Sequence, residues 1–300
     1  ALQDEYDCVF GIVDGHALTT EYHDVSQIKE NVIDIAIDWL AAGLDPDKST
    51  LMIQSLVPEH AELQLLFSMF VPIPWLERVP TYKEQIVQLK EKDLSTYGFL
   101  GYPVLQAADI LIYKAELVPV GEDQVSHIEL SREIARRFNN LYAPVFPEPQ
   151  PKLTKAARLP GTDGRKMSKS YKNEIQLSED PKSIRQKVLT MMTDPARMRR
   201  TDPGNPEICP VFDHHKVFTG TESREWVIEG CRSAGIGCID CKNRLLENML
   251  PLVEPLYEKR VELERNMGYV NDVLSDGSKA AREMATSTME DVRQSMGLKY

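Results

Sequence analysis

Short apolar runs alternate with helical stretches through the first half of this 300-residue chain, and that alternation is the strongest constraint on its fold. Cys8-Val9-Phe10-Gly11-Ile12-Val13 reads as a buried strand ending at Asp14-Gly15-His16. Residues 25–42 follow with helical periodicity and stop near Gly43. Leu51-Met52-Ile53-Gln54-Ser55 is the next strand, and Glu59 to Phe70 reads as a helix closed by Pro72 and Pro74. Tyr102 to Tyr113 reads as another helix after Gly101. Leu117-Val118-Pro119-Val120 is a short strand running into Gly121-Glu122-Asp123-Gln124 and a helix through Phe138. Elements in this order build a parallel α/β sheet, whose ligands bind beyond the carboxyl ends of the strands.

After Ser170 the strand-like runs disappear. Residues 181–192, 221–230, 243–264 and 269–296 read as helices, so the domain boundary is expected near residue 175. With 42% hydrophobic and 27% charged residues the chain has material for a large core and two domains. It carries no run of about eighteen apolar residues. Ala1-Leu2-Gln3-Asp4-Glu5 is no signal peptide, so no membrane association and a cytoplasmic location are expected. A formal net charge of -11 argues against broad, sequence-blind nucleic-acid binding. The basic cluster Arg197, Arg199 and Arg200 is either a local contact for an RNA backbone or a solvated helix-end cluster.

One loop carries most of the chemistry. Leu159-Pro160-Gly161-Thr162-Asp163 leads into Gly164-Arg165-Lys166-Met167-Ser168-Lys169-Ser170, where proline and glycines exclude regular structure and two lysines and two serines stand together. Such a loop can close over a polyphosphate and direct ammonium and hydroxyl donors at charge developing on phosphoryl oxygens. A solvated surface loop is the alternative that charge alone leaves open.

In the helix after Gly101, Gln106 and Asp109 share one face, with Tyr102 a turn earlier. A carboxylate on an apolar helix needs a donor, and an indole N–H is a donor without acceptor capacity. Asp109 is thus a candidate reader of an indole, or else an acceptor for a neighbouring backbone or arginine. In the following strand and turn, Val118 and Val120 form an apolar wall. Gly121 permits close backbone approach, Asp123 can accept from ribose hydroxyls, and Gln124 can hold an ammonium or carboxylate. An acidic first helical turn is the plain alternative there.

Of five cysteines, Cys8 reads as a small buried hydrophobe, while Cys209, Cys231, Cys238 and Cys241 crowd one region. The spacing Cys-x6-Cys-x2-Cys, with glycines at 235 and 237 suggesting a tight turn, suits convergence of four thiolates on one metal centre, with Zn2+ an option from the donor chemistry. His214 and His215 nearby read as solvated or capping groups.

The stretches 13–19, Ile53-Gln54-Ser55, Leu76-Glu77-Arg78, 102–109, 118–124 and Lys-Met-Ser-Lys-Ser at 166–170 together resemble the bacterial tryptophanyl-tRNA synthetases, a class I aminoacyl-tRNA synthetase family, over nearly the whole chain. The resemblance implies a Rossmann-like parallel-sheet catalytic domain at 1–175. It also implies an all-helical domain at 176–300 facing the tRNA anticodon, with the last helix packing back on the catalytic domain. It implies ATP- and Mg2+-dependent activation of L-tryptophan and transfer to tRNA(Trp) by a homodimer whose interface includes residues 70–82. Asp109 would bind the indole nitrogen, with Tyr102, Gln106, Val118, Val120, His16 and Gln124 around the amino acid. Gly121, Glu122, Asp123 and Leu159 would bind ATP together with Lys166, Met167, Ser168, Lys169 and Ser170, and Lys166, Ser168 and Lys169 would act in catalysis. The four cysteines resemble those of a subset of the family that carries a [4Fe-4S] cluster. The chain shows no His-Ile-Gly-His element and its first residues match the family just beyond it, so a strand and its helix are expected to be absent and the chain as given inactive. Two other readings remain: a tyrosyl-tRNA synthetase, because the same stripe could accept a phenol, and a non-catalytic, synthetase-derived RNA-binding or iron-sensing protein.

Overall fold

The computed structural model describes residues 2–80, 82–83, 94–153, 159–168, 171–176 and 178–300. Strand β1 (Cys8–Ile12) pairs in parallel with β2 (Ser49–Ile53), Cys8 opposite Ser49 and Ile12 opposite Ile53. A parallel pair requires a crossover, here α1 (Asp14–Glu21) and α2 (Ile28–Ala41). Beyond β2 come a single 3-10 turn at Gln54–Leu56, then α3 (Glu59–Ser68) and α4 (Ile73–Glu77). The hydroxyl of Thr96 caps α5 (Tyr97–Leu111) by accepting from Phe99 N at 3.2 Å. Strand β3 (Leu117–Val120), α6 (Val125–Leu141) and β4 (Gln150–Leu153) follow, with β4 parallel to β3. The remaining elements are helical: α7 (Pro181–Thr190), α8 (Pro210–Phe218), α9 (Thr221–Arg232), α10 (Cys238–Arg265) and α11 (Met267–Ser295).

The chain forms two compact units, Ala1–Ala36 with Leu44–Lys155 and Met267–Tyr300, and Ile37–Gly43 with Ala156–Asn266. The sequence reading places the boundary near 175, whereas here the lysine loop lies in the second unit; the last helix, expected to pack back on the catalytic domain, lies in the first unit.

The first unit is built on the apolar faces of α3, α5, α6 and α11, where Leu63, Phe67, Ala108, Leu111, Ile134, Phe138, Ala281, Ala285 and Met289 are fully buried. Phe67, Phe138 and Phe146 meet edge to face, with ring centroids 4.8 to 6.2 Å apart. Helix α11 closes on β2: the Ser278 hydroxyl accepts from Ile53 N at 3.1 Å, and Arg282 and Arg293 pair with Glu59 and Glu62 of α3. In the second unit, Ile184, Val188 and Met191 pack with Val211 and with Leu245, Leu246, Met249, Leu250 and Val253 of α10. Pro251 and Pro255 lie within α10 without ending it. Both are exposed, so water can satisfy the carbonyls they leave unpaired.

Four elements escape the sequence reading. Helix α1 starts where a polar turn is expected, α4 is built on the two prolines expected to close its predecessor, with Pro72 as its N-cap and Pro74 in its first turn, and β4 and α8 are unforeseen. Helix α10 begins at Cys238, five residues before its expected start, so Cys238 and Cys241 occupy its first turn and the tight turn ends at Gly237. No helix among the described residues is long and apolar enough to cross a membrane.

Candidate active site

In the first unit the expected polar stripe exists on α5, and Asp109 is its centre. Its Oδ1 accepts from Gln54 Nε2 at 2.7 Å and from His60 Nδ1 at 2.6 Å, and its Oδ2 accepts from His16 Nε2 at 2.8 Å. The donors arrive from three elements. Asp14 starts α1 and accepts from both N and Oγ of Ser55, at 2.9 and 2.5 Å, which ties the helix bearing His16 to the carboxyl end of β2 beside Gln54. His60 comes from the first turn of α3. Gly15 lies against Gln54, where a Cβ would stand 2.7 Å from Oε1.

Burial opposes ionisation of Asp109, but hydrogen bonds from His16 and His60, with their charge, hold its carboxyl below the usual carboxylate range. The sequence alternatives for its partner were an indole, a backbone group or an arginine; among the described residues its donors are one amide and two imidazoles. Gln106 Nε2 donates to Gln124 Oε1 at 3.4 Å, and Gln124 Nε2 to Asp123 Oδ2 at 3.1 Å. The Tyr102 hydroxyl lies 3.4 Å from His127 Nε2. Burial lowers the His127 pKa and favours its neutral ring. Val118 and Val120 are half-buried, with exposed Leu117 and Pro119 alternating, so the apolar wall of β3 is present. Glu122–Gln124 is a 3-10 turn, and a Cβ on Gly121 would stand 2.8 Å from Asp123 Oδ1.

In the second unit the lysine loop starts from an antiparallel bridge between Pro160 and Lys166, just after half-buried Leu159. Gly164 adopts φ +79°, a conformation that favours glycine, and packs beside Pro210 and Met192. The organiser of the loop is Asn173, which the sequence reading overlooks. Its Oδ1 accepts from Ser168 N at 2.8 Å, while its Nδ2 donates to Lys166 O at 3.1 Å and to Asp163 Oδ1 at 2.7 Å. That amide, assisted by Arg165, brings the Asp163 carboxyl down to about 2. Arg165 covers Tyr171 at 4.4 Å from the ring centroid, and Lys166 is exposed. Lys169 and Ser170 lie outside the described residues.

The four clustered cysteines sit at helix ends: Cys209 before α8, Cys231 near the end of α9, and Cys238 and Cys241 on the first turn of α10. All are half-buried, and burial pushes the Cys241 thiol up to about 12, with the charges of Cys209, Cys231 and Cys238 adding to the shift. They are therefore electrostatic neighbours. Among the described residues, however, no three or more His, Cys, Asp or Glu side chains are arranged to hold a metal ion. Cys8 is half-buried rather than fully enclosed.

His214 and His215 are buried, not solvated. His214 Nε2 bonds Pro160 O at 3.0 Å, and His215 Nε2 bonds Cys241 O at 3.2 Å. The arginine cluster lies beyond the end of α7 rather than on a helix end. Within it, Arg197 donates to the carbonyls of Arg200 and Ile236 at 2.8 and 2.6 Å, which makes it an internal strut, while Arg199 and Arg200 are exposed.

Residues 1–253 match the family described as tRNA synthetases class I (W and Y). The chain belongs to this family. The tryptophan–tRNA ligase of Thermotoga maritima is 58% identical over 301 residues, covering 100% of this chain and 92% of its own length. That of Ralstonia nicotianae is 46% identical over 369 residues, with the same two coverages of 100% and 92%. The crystal structure of the Campylobacter jejuni tryptophanyl-tRNA synthetase with ADP and tryptophan superposes with a TM-score of 0.87 at 32% identity, covering 99% of this chain and 91% of that one. The fold is thus that of a class I synthetase, with a parallel-sheet, Rossmann-like domain and a helical C-terminal region.

Proposed function

We propose that the chain activates L-tryptophan with Mg-bound ATP and transfers it to tRNA(Trp), as a tryptophan–tRNA ligase. A half-buried carboxylate on α5 of a synthetase of the tryptophan and tyrosine family offers an acceptor for the indole N–H, which a phenol can also use, and the choice of tryptophan rests on kinship over the whole chain. The 58% identical tryptophan–tRNA ligase supports the same choice.

Asp109 takes the indole N–H, with Tyr102, Gln106, Val118, Val120, His16 and Gln124 surrounding the substrate. Gly121, Glu122, Asp123 and Leu159 face ATP, together with Met167 and Ser170. The tryptophan carboxylate attacks the α-phosphorus and the bond to the bridging oxygen breaks, so pyrophosphate leaves with the electron pair. A terminal ribose hydroxyl of the tRNA then displaces AMP from the adenylate. Positioning and charge stabilisation suffice for both steps, and Lys166, Ser168 and Lys169 supply the charge and donors for the leaving pyrophosphate.

A homodimer is part of the proposal, supported by Leu65 on α3, Met69 just after it and Ile73 on α4, apolar yet 53, 66 and 58% exposed. A cytoplasmic location suits a translation enzyme. The four cysteines are proposed to hold a [4Fe-4S] cluster, with Zn2+ as the alternative. Their thiol chemistry fits a sulfur-bound group, and Arg197 and Lys242 supply positive charge beside Cys231 and Cys241. Such a cluster would lend structural or redox character to the helix ends it joins. Anaerobic purification followed by iron, sulfide and zinc analysis tests it; zinc without iron, or no metal, overturns the cluster. Tryptophan-dependent exchange of pyrophosphate into ATP tests the activity, and exchange driven by tyrosine instead would overturn the assignment.

A further inference from the structure

Asp109 is held by more than its ordinary environment requires. A carboxylate offers about four lone-pair sites. Gln54 and His60 take both sites of Oδ1, and His16 takes one of Oδ2. Among the described residues one acceptor site therefore remains, on Oδ2, and it can receive a single N–H without releasing any donor.

His60 is 1% exposed and both its ring nitrogens are engaged: Nδ1 with Asp109 at 2.6 Å and Nε2 with the Tyr113 hydroxyl at 2.7 Å. An ionised carboxylate only accepts, so Nδ1 carries a proton towards it, while the contact of Nε2 with Tyr113 holds the far side of the ring. Burial, then the charges of Asp109 and Glu59, raise the Tyr113 pKa, so its hydroxyl keeps its proton beside His60 Nε2. Tyr113, His60 and Asp109 thus form one relay of contacts that ends at the carboxylate. Tyr113 lies one turn beyond Asp109 on the same face, so the relay starts and ends on that segment and passes through α3.

We propose that His60, its ring held from behind by Tyr113, is a positioning and specificity residue: it locks Asp109 Oδ1 so that Oδ2 presents one fixed acceptor site to the indole N–H. This rests on Asp109 being the indole reader. An unlocked carboxylate could rotate, refill its lone pairs with water and lose its preference for a ligand carrying that one donor.

Equilibrium binding of tryptophan is compared with that of the benzothiophene analogue, in which sulfur replaces the indole N–H. Wild type is expected to favour tryptophan by roughly ten- to a hundredfold, the range for a hydrogen bond to a charged group. His60→Leu is expected to lose most of that preference by weakening tryptophan alone. His60→Asn, whose amide can donate from near the Nδ1 position, is expected to keep most of it, and Tyr113→Phe to fall between. If His60→Leu weakens both ligands equally, or preserves the wild-type preference, His60 is only a packing residue and the proposal fails. If wild type itself shows no preference, the failure lies in Asp109 as indole reader, and the proposal falls with it.

Discussion

Gly277 of α11 lies so close to Leu51 of β2 that a Cβ on the glycine would stand 2.0 Å from the Leu51 carbonyl oxygen. The obstruction is backbone, which cannot swing aside as a side-chain end can. Gly277→Ala should therefore destabilise the first unit by about 3 kcal/mol or more, within the range for overpacking and backbone displacement. Urea denaturation checks this; a change below about 0.5 kcal/mol, the usual surface effect, would show that helix and strand separate readily.

Asn173 should be worth more to the loop than its place outside the signature suggests. Asn173→Ala removes the partners of Ser168 N, Lys166 O and Asp163 at once, so adenylate formation should fall while tryptophan affinity stays within about twofold. NMR gives a second readout. The Asp163 carboxyl, held at about 2 first by this amide, should rise towards its ordinary 3.8 in the variant but stay below it, because Arg165 still donates to it.

Lys166 is the loop lysine that the structure describes, and it is exposed, so it can follow charge that appears only in the transition state. Lys166→Ala should lower the rate of adenylate formation by about a hundredfold or more with little change in tryptophan binding, in line with loss of one preorganised donor. Stopped-flow measurement of adenylate formation separates the two effects, and a variant that loses tryptophan affinity instead would place Lys166 in ground-state binding.

Asp109 also predicts a pH dependence. Its folded pKa lies below the ordinary 3.8, so the unfolded chain binds this proton more readily. Its contribution to stability is fully present above about pH 4 to 5 and is lost as the pH falls through the folded value. The difference in thermal midpoint between wild type and Asp109→Asn should be constant from neutral pH to about 5 and shrink below about 4. A difference that grew on acidification would mean that the carboxyl is protonated in the folded protein.

How much of this was legible beforehand depends on sequence distance. Asp109, Gln106 and Tyr102 were readable because helical periodicity places them on one face. The lysine loop was readable because its residue types fall consecutively. The partners of Asp109 were not: His16, Gln54 and His60 are 93, 55 and 49 residues away, and only the fold brings them together. Gln54 did carry a faint signal, being at the carboxyl end of a strand. Strand β4 was hidden because Gln150-Pro151-Lys152-Leu153 is polar and contains proline, which an edge strand tolerates where its N–H is not needed. Helix α8 was hidden by the adjacent histidines, which read as surface groups but fill buried positions.

The carboxylate on α5 is proposed to belong to a tryptophan-activating site. Pyrophosphate exchange into ATP, with each amino acid supplied in turn, is the decisive measurement. Exchange is expected with tryptophan, little with tyrosine, and a fall of roughly tenfold or more for Asp109→Asn, the scale of a lost charge-assisted hydrogen bond. Exchange that is equal with tyrosine, or unaffected by Asp109→Asn, would contradict this assignment.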